Sequence, residues 1–469
     1  MKMHLTAALT RSSFFLLALA AGFVGYFIAE ELGARTGADA GVSAHRPAPP
    51  IRLQEDLVLD AEAHLLARAD SPVDFVGDAL GIFYILQQDG RVLRVAPTLG
   101  GGSSATVYTE FADADTEREI GFSSLSLHPG FLDKENPGYG RLYVVAAEKS
   151  GSGTADFVPA FGGGSEDHQD VVYEYTIEDP LLSAFRGTRR EIMRLSQPGR
   201  EHNLSSLSFD PLGHLYLGVG DGAAGKTGDD QPSRNASTLS TAFGKILRID
   251  PLGNDSANGR YGIPEGNPFR LVTEALPELW AFGLRAPRDL SFDPFRRTLC
   301  ITERGARGRD EINLSALGGE HFGWDLDEDS ARMSPAMRRQ LAEITTPPLL
   351  ALDRPQGPLG RAAGSLVYRG ENFPALAGRI VFASQDGQLL AARPSTSSDG
   401  PAVELSRLRL ASLGEETFTA LRTGPLGELV VLCEDGDVYE FRKGASLGTG
   451  GSKSRSLFCL IESVTVPGS

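Results

Sequence analysis

Residues 202–222 read HNLSSLSFDPLGHLYLGVGDG: an alternating apolar strand, an Asp-Pro turn closed by Gly213, a second apolar strand, then a Gly-Asp-Gly turn at 220–222. Period-two alternation bounded by Gly, Pro and Asp marks half-buried antiparallel strands. The same unit recurs along the chain. It appears earlier as DFVGDALGIFYILQQDGRVLRV from Asp74 to Val95, and as GFSSLSLHPGF from Gly121 running on through GRLYVVAAE. GKILRID at Gly244 completes the unit that begins at Leu204. It returns as RDLSFDPFRRTLCITERG from Arg288, as GSLVYRGENFPALAGRIVFASQDGQLLAARP from Gly364, and as FTALRTGPLGELVVLCEDGDVYEFR from Phe418 to Arg442. Six such units predict an all-β fold, a six-bladed β-propeller whose four-stranded blades close a ring around a central channel. Two separate β-sandwiches are the alternative. IRLQEDLVLD from Ile51 is also strand-like, and is expected to complete the last blade and close the ring.

The flanks read differently. Lys2 and Arg11 precede an uncharged apolar stretch from Ser12 to Ala29, followed by Glu30 and Glu31. This predicts a transmembrane or signal helix within an N-terminal membrane segment, residues 1–33, with the basic end held inside. At about 18 residues the stretch favours a retained anchor over a cleaved signal. Residues 34–50 read as a linker, 51–442 as the propeller and 443–469 as a Gly/Ser-rich tail. The propeller is therefore expected outside the cytoplasm, periplasmic or extracellular, and tied to a membrane by residues 12–29. A formal charge of −16 sets nucleic acid aside as a partner. Three cysteines, Cys300, Cys433 and Cys459, make no disulfide framework, and the first two sit in apolar strand-like runs as buried thiols.

Function is expected in the loops between units. Four stretches hold the unusual residues: Glu201-His202-Asn203, Asp221 in its Gly-Asp-Gly turn, Gly283 to Pro287 with Arg285, and Glu303 to Ala306 followed by Asp310 to Asn313. Adjacent antiparallel strands return to the same end, so His202 and Asp221 can meet. A carboxylate on one imidazole nitrogen orients the ring and leaves the other as a base. Such a pair suits proton abstraction from a hydroxyl, with Arg285 to stabilise negative charge. Asp229, Asp230 and the other acidic loop residues read as solvated. Taken singly, a turn aspartate or a strand-start histidine is more often structural.

Together, GFSSLSLHPGF, HNLSSLSFDPLGHLYLGVGDG, FGKILRIDPLG, GNPF, ELWAFGLRAP, DEINL and HFGWD resemble the soluble quinoprotein glucose dehydrogenase and aldose sugar dehydrogenase family, the glucose/sorbosone dehydrogenase domain. The resemblance covers roughly residues 70–442. It implies pyrroloquinoline quinone and calcium as cofactors, with a sugar or sugar-like molecule oxidised to the lactone and electrons passed to an acceptor that the sequence does not identify. On that resemblance His202 is the base, Asp221 its orienting carboxylate, Glu201 the substrate-side acid and Arg285 the arginine at the quinone. Gly305 and Ala306 are the backbone calcium ligands. Two arginines that bind the cofactor's carboxylates are replaced here by Thr417 and Thr419, with Arg304 or Arg288 as candidate substitutes. The family's Asn after the quinone arginine is Ala286, and Leu204 stands where the family has Gly. These departures leave a second reading, a non-catalytic propeller that binds a partner as hedgehog-interacting protein does. Lactone hydrolysis in the same channel is a third.

Overall fold

In the computed structural model each unit folds as a four-stranded antiparallel sheet, and the innermost strands of six sheets contact one another in a closed ring. The structure describes residues 48–444 apart from 100–101, 113, 116–119, 162–164, 223–233, 306–308, 325–334, 354–360, 398–399, 411–415 and 426. The apolar stretch at 12–29, most of the 34–50 linker and nearly all of the C-terminal tail lie outside the described residues. No helix among the described residues is long and apolar enough to cross a membrane.

The chain opens with β1 (Ile51–Leu53), β2 (Leu57–Val58) and β3 (Ala61–Arg68). Blade I is β4 (Pro72–Gly77), β5 (Phe83–Gln87), β6 (Arg91–Pro97) and β7 (Ser103–Glu110); blade II is β8 (Phe122–Leu127), β9 (Arg141–Lys149), β10 (His168–Ile177) and β11 (Gly187–Gln197). Blade III is β12 (Leu204–Phe209), β13 (Leu215–Val219), β14 (Lys245–Ile249) and β15 (Leu279–Phe282). Blade IV is β16 (Pro287–Asp293), β17 (Thr298–Glu303), β18 (Arg309–Ser315) and β19 (Leu350–Asp353). Blade V is β20 (Ala362–Val367), β21 (Ile380–Ser384), β22 (Leu389–Ser397) and β23 (Gly400–Arg409). Blade VI is β24 (Phe418–Thr423), β25 (Leu429–Cys433) and β26 (Asp437–Lys443), completed by β3 from the other end of the chain.

Ring closure differs from expectation by one segment. IRLQEDLVLD does not complete the last blade. Its β1 and β2 run parallel along β23 on the outer edge of blade V, and β3, AEAHLLAR, pairs antiparallel with β26 instead. The acids at 55, 56 and 60 break the first segment into pieces of three and two residues. These are too short for a closing strand but sufficient to cover an open edge. Asp56 is further tied to Arg409 at 2.7 Å. β3 is eight residues long and matches β26. Cys300 and Cys433 are buried free thiols, as expected.

One irregularity repeats around the ring and positions the site. Where each innermost strand pairs with the next, the register slips at the same place. The extra residue, a β-bulge, is Val73, Ser123, Ser205, Arg288, Ala363 or Thr419 in blades I to VI. A bulge re-aims its side chain out of the sheet. All six line one central cavity.

One residue further along, the side chains join the blades. Asp74 Oδ2 accepts from the Leu125 N–H at 3.0 Å and Ser124 Oγ from the Leu207 N–H at 3.1 Å. Ser206 Oγ accepts from the Leu290 N–H at 3.0 Å, and Asp289 Oδ2 from the Ser365 N–H at 3.3 Å. The succession stops at Gly364 and Ala420, which have no acceptor to offer. There Arg422 bridges the gap, with Nη2 at 2.8 Å from Asp74 Oδ1 and Nη1 at 2.8 Å from Asp289 Oδ1. Gly364 makes room for this, since a Cβ there would lie 2.8 Å from Asp289 Oδ2. Burial pushes Asp289 up to about 6; Arg422 opposes that shift and Asp74 adds to it.

Candidate active site

This belt of contacts between blades borders a cavity of about 830 Å³, within the range of small-molecule sites. Its walls bring together Glu201, His202, Arg285, Arg304, Gly305 and Thr419, residues that lie in four separate stretches of sequence. Thr417 is not among the lining residues; its carbonyl accepts from the Glu434 N–H at 2.8 Å. Ala306 lies outside the described residues. Arg200, Arg288 and Arg361 also line the cavity.

His202 is held in an unusual conformation. Its φ is +58°, a left-handed value that costs a non-glycine residue about 1 kcal/mol or more. The opposite strand makes this possible, because a Cβ on Gly220 would lie 2.1 Å from the His202 carbonyl oxygen. The neighbouring Asn203 is tied to His168, with Nδ2 at 3.2 Å from Nε2. Burial disfavours charge on His168, yet hydrogen bonds and charges from Asp170 and Asp167 outweigh it and raise its pKa. Asp221 is fixed at both ends of its peptide. Its N–H donates to the Arg285 carbonyl at 2.8 Å, and its carbonyl accepts from Asn235 Nδ2 at 3.1 Å.

The hairpin brings His202 Nδ1 to 2.7 Å from Asp221 Oδ1, with the imidazole 6% exposed and the carboxylate fully buried. The second oxygen, Oδ2, accepts from the Trp324 indole N–H at 2.8 Å. A carboxylate acting only as acceptor here requires the proton on His202 Nδ1, which leaves Nε2 as the basic nitrogen. The Arg285 guanidinium lies 5.3 Å from the Trp324 ring centre and donates from Nη1 to the Arg304 carbonyl at 3.2 Å. Arg285 is 4% exposed. Behind it, Glu303 accepts the Arg285 N–H at Oε1 and Asn313 Nδ2 at Oε2, the latter at 3.0 Å. Burial, with Glu311 directly across the strand pair, pushes the Glu303 carboxyl up, against the pull of Arg285. Gly305 lies close against Arg309, since a Cβ there would fall 1.6 Å from the Arg309 carbonyl oxygen.

The arrangement offers a buried, oriented base facing a basic cavity, which suits removal of a proton from a bound hydroxyl. Sequence reasoning gave no role to Trp324 or Arg361. HFGWD was visible as a motif, but the contact of its tryptophan with Asp221 spans 103 residues. Arg361, two residues before the bulge of blade V, lines the cavity without belonging to any of the motifs.

Comparison with known proteins agrees with this architecture. Residues 72–440 match the family described as Glucose / Sorbosone dehydrogenase. The chain is 27% identical over 341 residues to the HIPL1 protein of Arabidopsis thaliana, covering 64% of this chain and 47% of that protein. It is 26% identical over 301 residues to aldose sugar dehydrogenase YliI of Escherichia coli strain K12, covering 63% of this chain and 70% of that protein. To the human Hedgehog-interacting protein it is 31% identical over 281 residues, covering 59% of this chain and 35% of that protein. The chain thus spans about half of the first relative and about a third of the last. A solved glucose dehydrogenase superposes with a TM-score of 0.58 at 22% identity, over 82% of this chain and all of that one, a likeness of fold.

Proposed function

This chain belongs to the glucose/sorbosone dehydrogenase family, and from that we propose that its cavity oxidises a hydroxyl of an aldose or related compound with pyrroloquinoline quinone as the electron-accepting cofactor. The observation that carries this reading is the His202–Asp221–Trp324 array. His202 Nε2 takes the proton of the substrate's C1 hydroxyl. Asp221 keeps the imidazole in the required tautomer and stabilises the imidazolium that forms, while Trp324 fixes the carboxylate. Glu201, at the cavity wall, accepts hydrogen bonds from neighbouring sugar hydroxyls. Arg285 stabilises negative charge that develops as the proton leaves.

The residues present fit a carboxylated planar quinone. The cavity holds about 830 Å³, and Arg285, Arg304 and Arg288 on its walls supply charge-assisted donors. When bound, the quinone supplies a two-electron acceptor for the hydride of the same C1 carbon, which makes the product a lactone. Calcium belongs to the proposal through backbone oxygens at Gly305 and Ala306, oxygen donors of the kind calcium takes. The reading also puts the propeller outside the cytoplasm, on the strength of the apolar stretch at 12–29 and the basic residues before it.

The test is calorimetric titration of pyrroloquinoline quinone into the purified protein, with calcium and with chelator. Calcium-dependent binding at micromolar concentration is expected, and His202→Ala should keep binding and lose turnover by about 10²- to 10⁴-fold. No binding at millimolar quinone would remove the dehydrogenase reading. It would favour the second one, a recognition propeller, for which the identity to Hedgehog-interacting protein and the threonines at 417 and 419 speak.

A further inference from the structure

The cavity is basic in an acidic protein. Six arginines line it against four carboxylates, while the whole chain carries −16. The carboxylates are largely committed. Asp74 and Asp289 hold Arg422, and Asp310 Oδ2 accepts the Ala362 N–H at 3.1 Å. Among the arginines, the guanidiniums of Arg200, Arg288 and Arg361 make no hydrogen bond or ion pair among the described residues. Unpaired guanidiniums that line one cavity set up a positive potential that favours anions.

The bulge register shows how this wall is built. Arg288 occupies the bulge of blade IV, the position that Thr419 holds in blade VI. Arg361 stands two residues before the bulge of blade V, as Thr417 stands two before that of blade VI. The ring thus carries guanidiniums at two register positions that blade VI fills with threonines, of which only Thr419 lines the cavity.

We propose that Arg288 and Arg361, with Arg200, form an anion clamp that selects carboxylate-bearing ligands for this cavity. The planar fork of each guanidinium suits bidentate capture of a carboxylate. The clamp shares the cavity with the dehydrogenase reading and rests on it only for the identity of the ligand. Two sources can supply the carboxylate: the quinone itself, or an acidic sugar taken as substrate.

The experiment compares the full chain with Arg288→Gln, Arg361→Gln and the double variant. Binding of pyrroloquinoline quinone, glucuronate and glucose is followed by calorimetry at low and high salt. Both arginines are unpaired, so unchanged melting temperatures are expected and report intact folding. If the clamp holds the cofactor, quinone affinity falls at least about tenfold in the double variant with a flatter salt dependence, and glucuronate binds no better than glucose. If it holds the substrate, the wild type prefers glucuronate over glucose by about tenfold or more, the double variant loses that preference, and quinone binding is unchanged. Changes under twofold for both anions, or no anion binding to the wild type, overturn the clamp. Turnover with either sugar judges the dehydrogenase reading separately, since binding of an anion without turnover sustains the clamp and removes the oxidation.

Discussion

At each bulge the inner strands turn a side chain into the open cavity, and one residue later, in blades I to IV, they turn the next into a belt that Arg422 closes. Blade IV shows both: the Arg288 guanidinium makes no hydrogen bond or ion pair among the described residues, whereas its neighbour Asp289 is satisfied by Ser365 and Arg422. Charges in the belt are paired because they are buried in protein, where an unmatched charge is severely penalised. On the wall the guanidiniums of Arg200, Arg288 and Arg361 are left over among the described residues, and in the proposed clamp a ligand supplies the partner. The lesson is that the same backbone device serves stability in one layer and recognition in the next. Only the pairing tells them apart.

Breaking the belt should have the largest effect. Arg422→Leu leaves Asp74 and Asp289 facing each other without a counter-ion, and a loss of about 3–5 kcal/mol is expected in urea denaturation. Asp74→Asn/Asp289→Asn/Arg422→Met keeps the acceptors for Leu125 and Ser365 without buried charge, and should regain more than half of that loss. A cost below about 1 kcal/mol for Arg422→Leu would mean that the belt is held by its neutral hydrogen bonds alone.

The next effect falls on the catalytic array. Asp221 accepts at both oxygens, from His202 and from Trp324. An amide has one acceptor, so Asp221→Asn turns its oxygen to the indole and its NH₂ to the imidazole. That forces the proton onto Nε2 and removes the base, for an expected loss of about 10²- to 10⁴-fold in kcat. Adding Trp324→Phe frees the amide to turn back, so the double variant should exceed Asp221→Asn in kcat by at least about tenfold. Strictly additive losses would show that Trp324 does not orient the carboxylate.

The propeller was legible because its units repeat, and each of the six begins within two residues of an observed innermost strand. Ring closure was misassigned, since IRLQEDLVLD and AEAHLLAR both look strand-like and only pairing with β26 distinguishes them. The His202–Asp221 contact was legible for the simplest reason: both residues flank one hairpin. Trp324 and Arg422 were not, because their partners come from other blades, and Arg361 was not, because only the closed ring brings it to the cavity. Thr417 and Thr419 illustrate the same limit. They are adjacent in the reading, yet only Thr419, on the bulge, reaches the cavity.

The smallest predicted effect tests whether the belt really behaves as a buried unit. Asp289 has its folded-state pKa raised from 3.8 to about 6, chiefly by burial, against the pull of Arg422. A carboxyl with a raised folded pKa contributes stability that is full below about pH 4 and is lost as pH rises through about 6. By linkage the change is up to about 3 kcal/mol. Asp289→Asn has no such proton to release. Its stability relative to wild type, from urea midpoints at pH 4, 5, 6 and 7, should therefore improve as pH rises and then level off. Asn keeps an acceptor for the Ser365 N–H, so any fixed offset between the two proteins is independent of pH. A difference that does not change between pH 4 and 7 would mean that Arg422 holds Asp289 ionised throughout. In that case attraction across the channel outweighs desolvation, and the contrast between a satisfied belt and an unsatisfied wall would be sharper still.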